Sequence, residues 1–414
     1  MRSHLREPLF RGAYALIAST VLTAVLGIAF WAVAARTSSP AAVGRDAALI
    51  SSMIALSAIC QLNLVDAIVR FLPGVKHRDR ARRIGGAYGA ALGAGLLGAT
   101  AFVLVGPLSF TPWLAVAFVA ATAVWGVFVL QDAVLTALRR ATWLPAENAG
   151  FSVAKIALLG LLAAVGGGHA VFLAWVLPLL LFVPLMNVLL WARVLRPAAR
   201  TTPEAAAPRA SLRGGRMKRF MAADYAGFVL GQGAITLLPL IVVARLGEEQ
   251  NAFFYMPFTL IVAFDLLFYN VTTSMTVEGA YDERRTAALV RTVARRFLAL
   301  QIPAALAIVA AAPLLLAPFG EEYASEGASA LRLLACASVA RAVCHLFIAL
   351  ARVHGRGGAI LLAQGTIFAI VCVLALALAG PLGLDGVALA WLAGNGIVAL
   401  AAAPTILRTI RSAS

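Results

Sequence analysis

Gln61, Asn63, Asp66 and Arg70 lie close together in a segment that is otherwise apolar. On a helix, Asp66 and Arg70 are spaced i, i+4 and can neutralise each other, with Arg70 extended toward the nearby membrane surface. Alternatively, Arg70 binds an anionic headgroup, and Asp66 orients it or binds a coupling cation. Gln61, Asn63 and Arg70 are therefore predicted substrate-binding residues, and Asp66 is a predicted ion-coupling or structural residue.

Three further ionisable side chains lie deeper in apolar segments. Lys155 is about two turns into residues 149–165, and it either binds substrate or extends back to the inner surface. Arg341 and His345 are one turn apart near the middle of residues 328–351, where extension to the surface is harder. They can bind phosphate or relay protons; alternatively, either one pairs with an acid on a neighbouring helix.

Two acids in apolar segments are predicted either to couple an ion or to form a structural pair. Asp265 is in the middle of residues 252–274, where a carboxylate needs a cation, a proton or a basic partner. Asp224 lies at the start of residues 223–243 and is the weaker candidate, because the helix dipole favours an acid at an amino terminus. Four polar residues near the expected inner surface are interpreted as capping or solvated groups: Gln131, Asp132, Glu147 and Asn148.

Catalytic and metal-binding motifs are not found in the sequence. There is no glycine-rich phosphate-binding loop ending in Lys-Ser/Thr, no zinc-protease helix motif and no nucleophile elbow. The four cysteines have no metal-ligand spacing and are interpreted as small core residues. The sequence therefore indicates a protein that is not an enzyme and needs no cofactor. Uphill transport would depend on H⁺, Na⁺, the membrane potential or substrate supply.

Composition indicates that membrane helices position these residues. The 414-residue chain is 62% hydrophobic and 13% charged, with a mean hydropathy of +0.91. A soluble core of this size cannot bury so many apolar side chains. The net charge of +16 does not indicate nucleic-acid binding, because the basic residues fall between apolar segments and are not interleaved with stacking aromatics.

Apolar segments of about 20 residues predict twelve transmembrane helices. They lie at about 12–35, 47–69, 84–105, 112–136, 149–165, 170–191, 223–243, 252–274, 297–317, 328–351, 358–379 and 383–404. With both termini in the cytoplasm, 27 of the 34 Lys and Arg residues lie on the inner side and three lie in outer loops. This asymmetry is the one expected of membrane proteins and supports the orientation.

A polar segment divides the chain into two apolar halves. Residues 193–219 contain eight basic residues, one acid and three prolines. The sequence therefore predicts an all-α integral membrane protein with an amino-terminal six-helix lobe (1–192), a basic cytoplasmic linker (193–222) and a carboxy-terminal six-helix lobe (223–414).

The first part of the chain resembles a known family. Residues 30–44, FWAVAARTSSPAAVG, are followed by an apolar helix that ends in VRFLP at 69–73. This pattern resembles the start of polysaccharide-export flippases, which belong to the multidrug/oligosaccharidyl-lipid/polysaccharide exporter superfamily. One departure is residues 63–66, NLVD, where these flippases more often have a glycine-containing apolar turn.

The resemblance implies two six-helix lobes around a central cavity that pass undecaprenyl-pyrophosphate-linked oligosaccharide across the bacterial inner membrane. It also implies that cationic cavity residues hold the pyrophosphate, and Arg70 is the matching position. Lys155 and Arg341 are added from their chemistry alone. The expected partners are the polyprenyl-linked glycan, membrane lipids and other membrane proteins of polysaccharide assembly, for example those of lipopolysaccharide.

Three alternatives stay open at the level of sequence. A drug exporter of the same superfamily would share the fold but transport an organic cation. A major facilitator also has two six-helix lobes, and residues 74–83 come close to its basic inner-loop motif. A membrane glycan polymerase or ligase would need a large outer loop with catalytic residues, and the predicted outer loops are short.

Overall fold

The computed structural model describes residues 8–106, 108–138, 140–166, 168–195, 215–281 and 283–411. All regular structure in these ranges is helical, with no strand, which confirms the all-α prediction. The chain divides into two compact units. Unit 1 comprises Met1–Ser38 and Leu49–Ser211, and unit 2 comprises Ser39–Ala48 and Leu212–Ser414. Much of the predicted linker falls outside the described residues, so the predicted lobe boundaries stay a prediction.

Unit 1 is built from helices of very different lengths. They are α1 (Pro8–Thr37), the second part of α2 (Pro40–Cys60), α3 (Leu64–Phe71), α4 (His77–Val105), α5 (Pro112–Ala137), α6 (Leu144–Val165), α7 (Ala170–Val176) and α8 (Leu179–Leu190). Short 3₁₀ turns lie at Leu72–Gly74 and Ala141–Trp143, and a π turn follows α8 at Trp191–Leu195. Helix α6 packs against α1 and α7, whereas α5 packs against α3, α4 and α8.

Unit 2 contains longer helices. They are the first part of α2, α9 (Gly215–Leu246), α10 (Glu248–Tyr281), α11 (Glu283–Leu316), α12 (Glu321–Glu326), α13 (Ala328–Val353) and α14 (Gly357–Arg411). A 3₁₀ turn lies between α11 and α12 at Ala317–Phe319. Helix α13 packs against α10, α11 and α14, and α9 packs against α14. Because α13 contacts three long helices, its polar side chains have neighbours on several sides.

Nine helices of the described part of the chain are long and apolar enough to cross a membrane. Large apolar side chains also stand on their outer surfaces; Val105 is 85% exposed and Leu400 is 77% exposed. Exposed apolar area on this scale is stable only in contact with lipid. These observations confirm a multi-pass membrane protein, while the twelve-helix count and the cytoplasmic termini stay predictions.

Two predicted spans are broken. The span predicted at 47–69 ends as a helix at Cys60, and Leu62 and Asn63 adopt left-handed conformations with φ of 50° and 57° before α3 begins. The span predicted at 170–191 is interrupted at Leu177 and Pro178, between α7 and α8. Leu177 and Pro178 are apolar like their surroundings, so a hydropathy pattern does not reveal that break. The first break is flanked by the polar residues Gln61 and Asn63, which an average over about 20 residues conceals.

The last two predicted spans are joined differently from the expectation. Helix α14 includes both, and the predicted outer connection at 380–382 is a kink beside Gly383, whose φ of 57° and ψ of −137° are not helical. Glycine adopts this conformation without the steric penalty that a side chain would add. The two spans therefore turn at one residue and need no loop.

The amino-terminal half of α2 belongs to unit 2 through a close backbone contact. The side-chain amide Nδ2 of Asn251 donates a hydrogen bond to the Gly44 carbonyl at 2.7 Å. A Cβ atom at Gly44 would collide with the backbone carbonyl of Glu248. Residues 39–48 are thus held against the start of α10 by a contact that only glycine permits.

We expect Gly44→Ala to lower the stability of the folded protein by about 1–3 kcal/mol, because the added methyl group forces two helices apart. The measurement is thermal unfolding of purified protein in detergent. Gly89→Ala in α4 is the matched control, since a Cβ there meets no atom within 4 Å. Equal melting temperatures for wild type and Gly44→Ala would contradict this account of the contact.

Candidate functional site

Unit 2 brings Asp265 and Arg341 together. Nε of Arg341 on α13 lies 2.9 Å from Oδ2 of Asp265 on α10, and the two side chains are 15% and 5% exposed. The contact is an ion pair without the alignment of a hydrogen bond. The Arg341 guanidinium also lies 4.8 Å from the centre of the Trp391 ring on α14. Pairing with an acid on a neighbouring helix, one of the two predicted alternatives, is therefore what the structure shows.

Asp224 has a partner as well. Nε of Arg352 donates a hydrogen bond to Oδ1 of Asp224 at 2.9 Å, which joins α13 to α9. Because α9 already begins at Gly215, Asp224 is not at a helix start, and the amino-terminal dipole explanation for this acid is wrong. Its charge is compensated by an arginine instead.

His345 lies between these two ion pairs along α13. Residues 341, 345 and 352 are spaced i, i+4 and i+11 and so share one face of the helix. The imidazole is 5.6 Å from the Tyr269 ring and 6.3 Å from the Phe268 ring, and its Nε2 is buried without a hydrogen-bond partner. The predicted Arg341 and His345 group is thus a polar stripe on α13 whose arginines are paired with acids.

In unit 1, Lys155 points into a cage of aromatic rings. Its Nζ lies 3.5 Å from the centre of the Trp175 ring on α7, 5.0 Å from Phe30 on α1 and 5.7 Å from Phe151 on α6. The residue is only 3% exposed, so the predicted extension to the inner surface is not what the structure shows. Among described residues, no carboxylate lies within ion-pair distance of Lys155. Its charge is stabilised by cation–π contacts.

The group predicted around Arg70 spans the break between α2 and α3. Gln61 is buried, Asn63 is half-buried in its left-handed conformation, and Asp66 is exposed in the first turn of α3. The side chain of Arg70 lies outside the described part of the structure, so its predicted pairing with Asp66 stays a prediction. Lys155 and the α2–α3 group are both in unit 1.

A cavity of about 950 Å³ lies between α3 and α4. Its apolar wall includes Leu64, Ile68, Phe71, Leu72 and Ile84, and its charged lining is Lys76, Asp79, Arg82 and Arg83. From the sequence, these basic residues were interpreted as evidence of orientation and as a near-match to the inner-loop motif of major facilitators, and no binding site was predicted here. The sequence did contain a signal for this cavity: an amphipathic segment at 64–72 is followed directly by closely spaced basic residues.

Two of the residues interpreted as capping or solvated groups are buried instead, so that interpretation is wrong for them. Glu147 is 3% exposed and Gln131 is 2% exposed. Nε2 of Gln131 donates a hydrogen bond to the Val183 carbonyl at 2.8 Å, which ties α5 to α8. Their position near the expected inner surface did not reveal this burial, because it depends on how α5, α6 and α8 pack.

No family model and no curated protein matches this sequence. Solved structures do match. An inward-facing multidrug resistance MATE family transporter of the MOP superfamily has a TM-score of 0.63 and 16% identity, covering 97% of this chain and 98% of that one. A MOP superfamily transporter from Pyrococcus furiosus, described as having a binding pocket of reversed polarity that suggests a different function, has a TM-score of 0.63 and 16% identity, with coverages of 98% and 96%.

An outward-facing MATE family transporter has a TM-score of 0.60 and 14% identity, covering 98% of this chain and 96% of that one. At 14–16% sequence identity, the similarity shows a shared fold. The chain therefore has a MATE-like fold over nearly its whole length.

We expect Arg341→Met to destabilise the protein by about 3–5 kcal/mol, because it leaves the Asp265 carboxylate buried without its cation. The double variant Arg341→Met with Asp265→Asn is expected to recover most of that loss. Thermal unfolding in detergent measures both, and Arg356→Met is the control because Arg356 is exposed in the turn after α13. An Arg341→Met protein as stable as wild type would show that the pair does not support the fold.

Proposed function

We propose that this protein flips an undecaprenyl-pyrophosphate-linked oligosaccharide across the bacterial inner membrane by alternating access, for cell-surface polysaccharide biosynthesis. The supporting observation is the cavity between α3 and α4. An apolar wall beside Lys76, Arg82 and Arg83 matches a molecule with a hydrocarbon tail and an anionic headgroup. Arginine and lysine are the side chains that proteins use for phosphate groups.

The basic residues that line this cavity, and Arg80 beside them on α4, differ in how strongly other groups of the protein bind them. Arg80 is held by the chain itself, since its Nε and Nη2 donate to the carbonyls of Val75 and Pro73 at 3.1 and 3.3 Å. Lys76, Arg82 and Arg83 are exposed, and the contact of Arg82 with Asp79 is long, at 3.9 Å. An arriving diphosphate can therefore bind these three residues without breaking a short ion pair.

In this proposal Arg341 and Lys155 contact the headgroup only after the cavity residues do. Arg341 is already paired with Asp265, and Lys155 is held in its aromatic cage. A headgroup that binds Arg341 must compete with Asp265, and Asp265 then needs another cation or a proton. Such an exchange would link headgroup movement to H⁺ or Na⁺. The membrane potential, negative inside, also favours outward passage of an anion, by about 2.3 kcal/mol per charge per 100 mV.

The fold supports transport by alternating access. Structures of the same fold are described in inward-facing and outward-facing conformations. The Pyrococcus furiosus transporter, described as having reversed pocket polarity, indicates that this fold tolerates different pocket charges. The MATE-like fold also argues against the major facilitator alternative, which rested on the two six-helix lobes and on the near-match at residues 74–83.

The test is flipping of a fluorescent undecaprenyl-pyrophosphate oligosaccharide in proteoliposomes. We expect the triple variant Lys76→Gln, Arg82→Gln, Arg83→Gln to flip at least about tenfold more slowly, because one charge-assisted hydrogen bond contributes about 1.5–3 kcal/mol. Arg70→Ala tests the position given by the family resemblance.

Arg78→Gln is the matched control for the triple variant, since Arg78 is exposed on the same helix and does not line the cavity. Melting temperatures of all variants separate lost binding from lost folding. No flipping by well-folded wild-type protein would refute the proposal.

One observation favours a second function, export of an organic cation. The aromatic cage around Lys155 has the composition that binds quaternary ammonium and other soft cations. In that case Lys155 fills a site that a transported cation would otherwise occupy.

This alternative predicts that Lys155→Met binds tetraphenylphosphonium at least about tenfold more tightly than wild type, because the competing ammonium is gone. Equilibrium dialysis of purified protein measures the affinity. Phe151→Leu combined with Lys155→Met is the control that removes one wall of the cage. Equal affinities for wild type and Lys155→Met would exclude the cage as a cation site.

A further inference from the structure

Unit 1 contains a buried acid, Glu147, and a half-buried acid, Asp132, and neither forms an ion pair with a base among the described residues. Glu147 is in the first turn of α6, and both of its carboxylate oxygens are buried without a hydrogen-bond partner. Asp132 is near the end of α5, and its Oδ1 is also buried without a partner. The two carboxylates are close enough for their charges to interact.

Groups from α4 and α6 complete the surroundings of this pair. The Tyr88 hydroxyl, on α4, is buried without a hydrogen-bond partner and interacts electrostatically with both acids. The Asn148 side chain hydrogen-bonds to Asp132. Together, Tyr88, Asp132, Glu147 and Asn148 form an acid cluster. Three of its members, Tyr88, Asp132 and Glu147, each have a buried side-chain oxygen without a hydrogen-bond partner.

Helix capping does not explain Glu147. An acid in the first turn can accept a hydrogen bond from a backbone N–H of the helix start, which is the usual reason for its presence there. At the start of α6 no side-chain cap hydrogen bond forms, and neither oxygen of Glu147 has a partner. The carboxylate is therefore buried at a cost that the helix does not offset.

Basic residues of the neighbouring elements are engaged elsewhere or exposed. Helix α4 packs against α5 and carries Arg80, Arg82 and Arg83, but Arg80 donates to backbone carbonyls and the other two are exposed. Helix α8, which packs against α5 and α6, has no ionisable residue, and neither does the 3₁₀ turn Ala141–Trp143. Helix α3 contains Asp66 and Arg70, and Arg140 precedes the 3₁₀ turn. No Lys, Arg or His of the described part of the chain forms an ion pair with either acid.

Two adjacent carboxylates in a low dielectric cannot both stay ionised without a cation. A divalent metal is disfavoured, because no group of three or more Asp, Glu, His or Cys in the described residues could hold one. A proton needs only the pair. When one carboxyl is protonated, the pair carries a single negative charge and the repulsion between the two acids is removed.

We infer that Asp132 and Glu147, with Tyr88 and Asn148, hold one exchangeable proton between them and form a proton-binding site in unit 1. The site is packed against the cavity between α3 and α4. Tyr88 contacts the same hydrophobic cluster as Ile68, Leu72 and Ile84, which line that cavity. The same packed side chains therefore adjoin both the cavity and the acid cluster.

The test needs no transported substrate, so its failure is distinct from failure of the proposed function. Full-length protein is reconstituted in lipid vesicles, and infrared difference spectra are recorded between acidic and alkaline buffer. We expect wild type to show the C=O stretch of a buried protonated carboxyl that is lost as the pH rises. Glu147→Gln and Asp132→Asn should each abolish that band.

Asp66→Asn and Asp265→Asn are the controls, and both should keep the band, because Asp66 is exposed and Asp265 is paired with Arg341. Thermal unfolding confirms that each variant is folded. The inference is overturned if the band survives in both cluster variants. It is also overturned if Na⁺ removes the band at constant pH in wild type, since the cluster would then be a sodium site.

Discussion

A charge placed among apolar helices must be compensated, and this constraint determines how the buried polar residues of the chain are arranged. Arg341 is compensated by Asp265, Arg352 by Asp224, and Lys155 by aromatic rings. The acid paired with each arginine comes from a different helix, and the rings around Lys155 come from α1, α7 and its own helix α6. These contacts join α13 to α10 and α9 in unit 2, and α6 to α1 and α7 in unit 1.

The same constraint affects how an anionic ligand can bind. Removing Arg341 from Asp265 leaves a buried carboxylate behind, and moving Lys155 out of its cage exposes the faces of three rings. Binding an anion at Lys76, Arg82 and Arg83 has no such cost, because these side chains are exposed at the cavity between α3 and α4. The basic residues best placed for a first encounter are thus those in a predicted loop, and the deep arginine and lysine can take part only by exchanging partners.

Hydropathy alone predicted the helical class and nearly every long helix, because a membrane span needs about 20 apolar residues whatever its neighbours are. It missed the break at Leu177–Pro178, since a helix can be interrupted there without any change in apolar content. It missed the break at Leu62–Asn63 because the polar residues Gln61 and Asn63 are few among the apolar residues that surround them. It also left the partner of Arg341 open, because a sequence does not state which helices are adjacent. Glu147 was misjudged for a related reason: a polar residue near a basic loop is solvated or buried according to the packing of α5, α6 and α8.

The two units compensate their buried charges in different ways. In unit 2 the acids Asp224 and Asp265 each have an arginine, so each pair is neutral overall. In unit 1 the lysine has rings and the acids Asp132 and Glu147 have each other, so the positive charge is satisfied while the negative charge is not. An imbalance of this kind can be relieved only by a cation from outside the cluster. If transport by this protein is coupled to an ion, unit 1 is therefore the part of the chain where that ion would bind first.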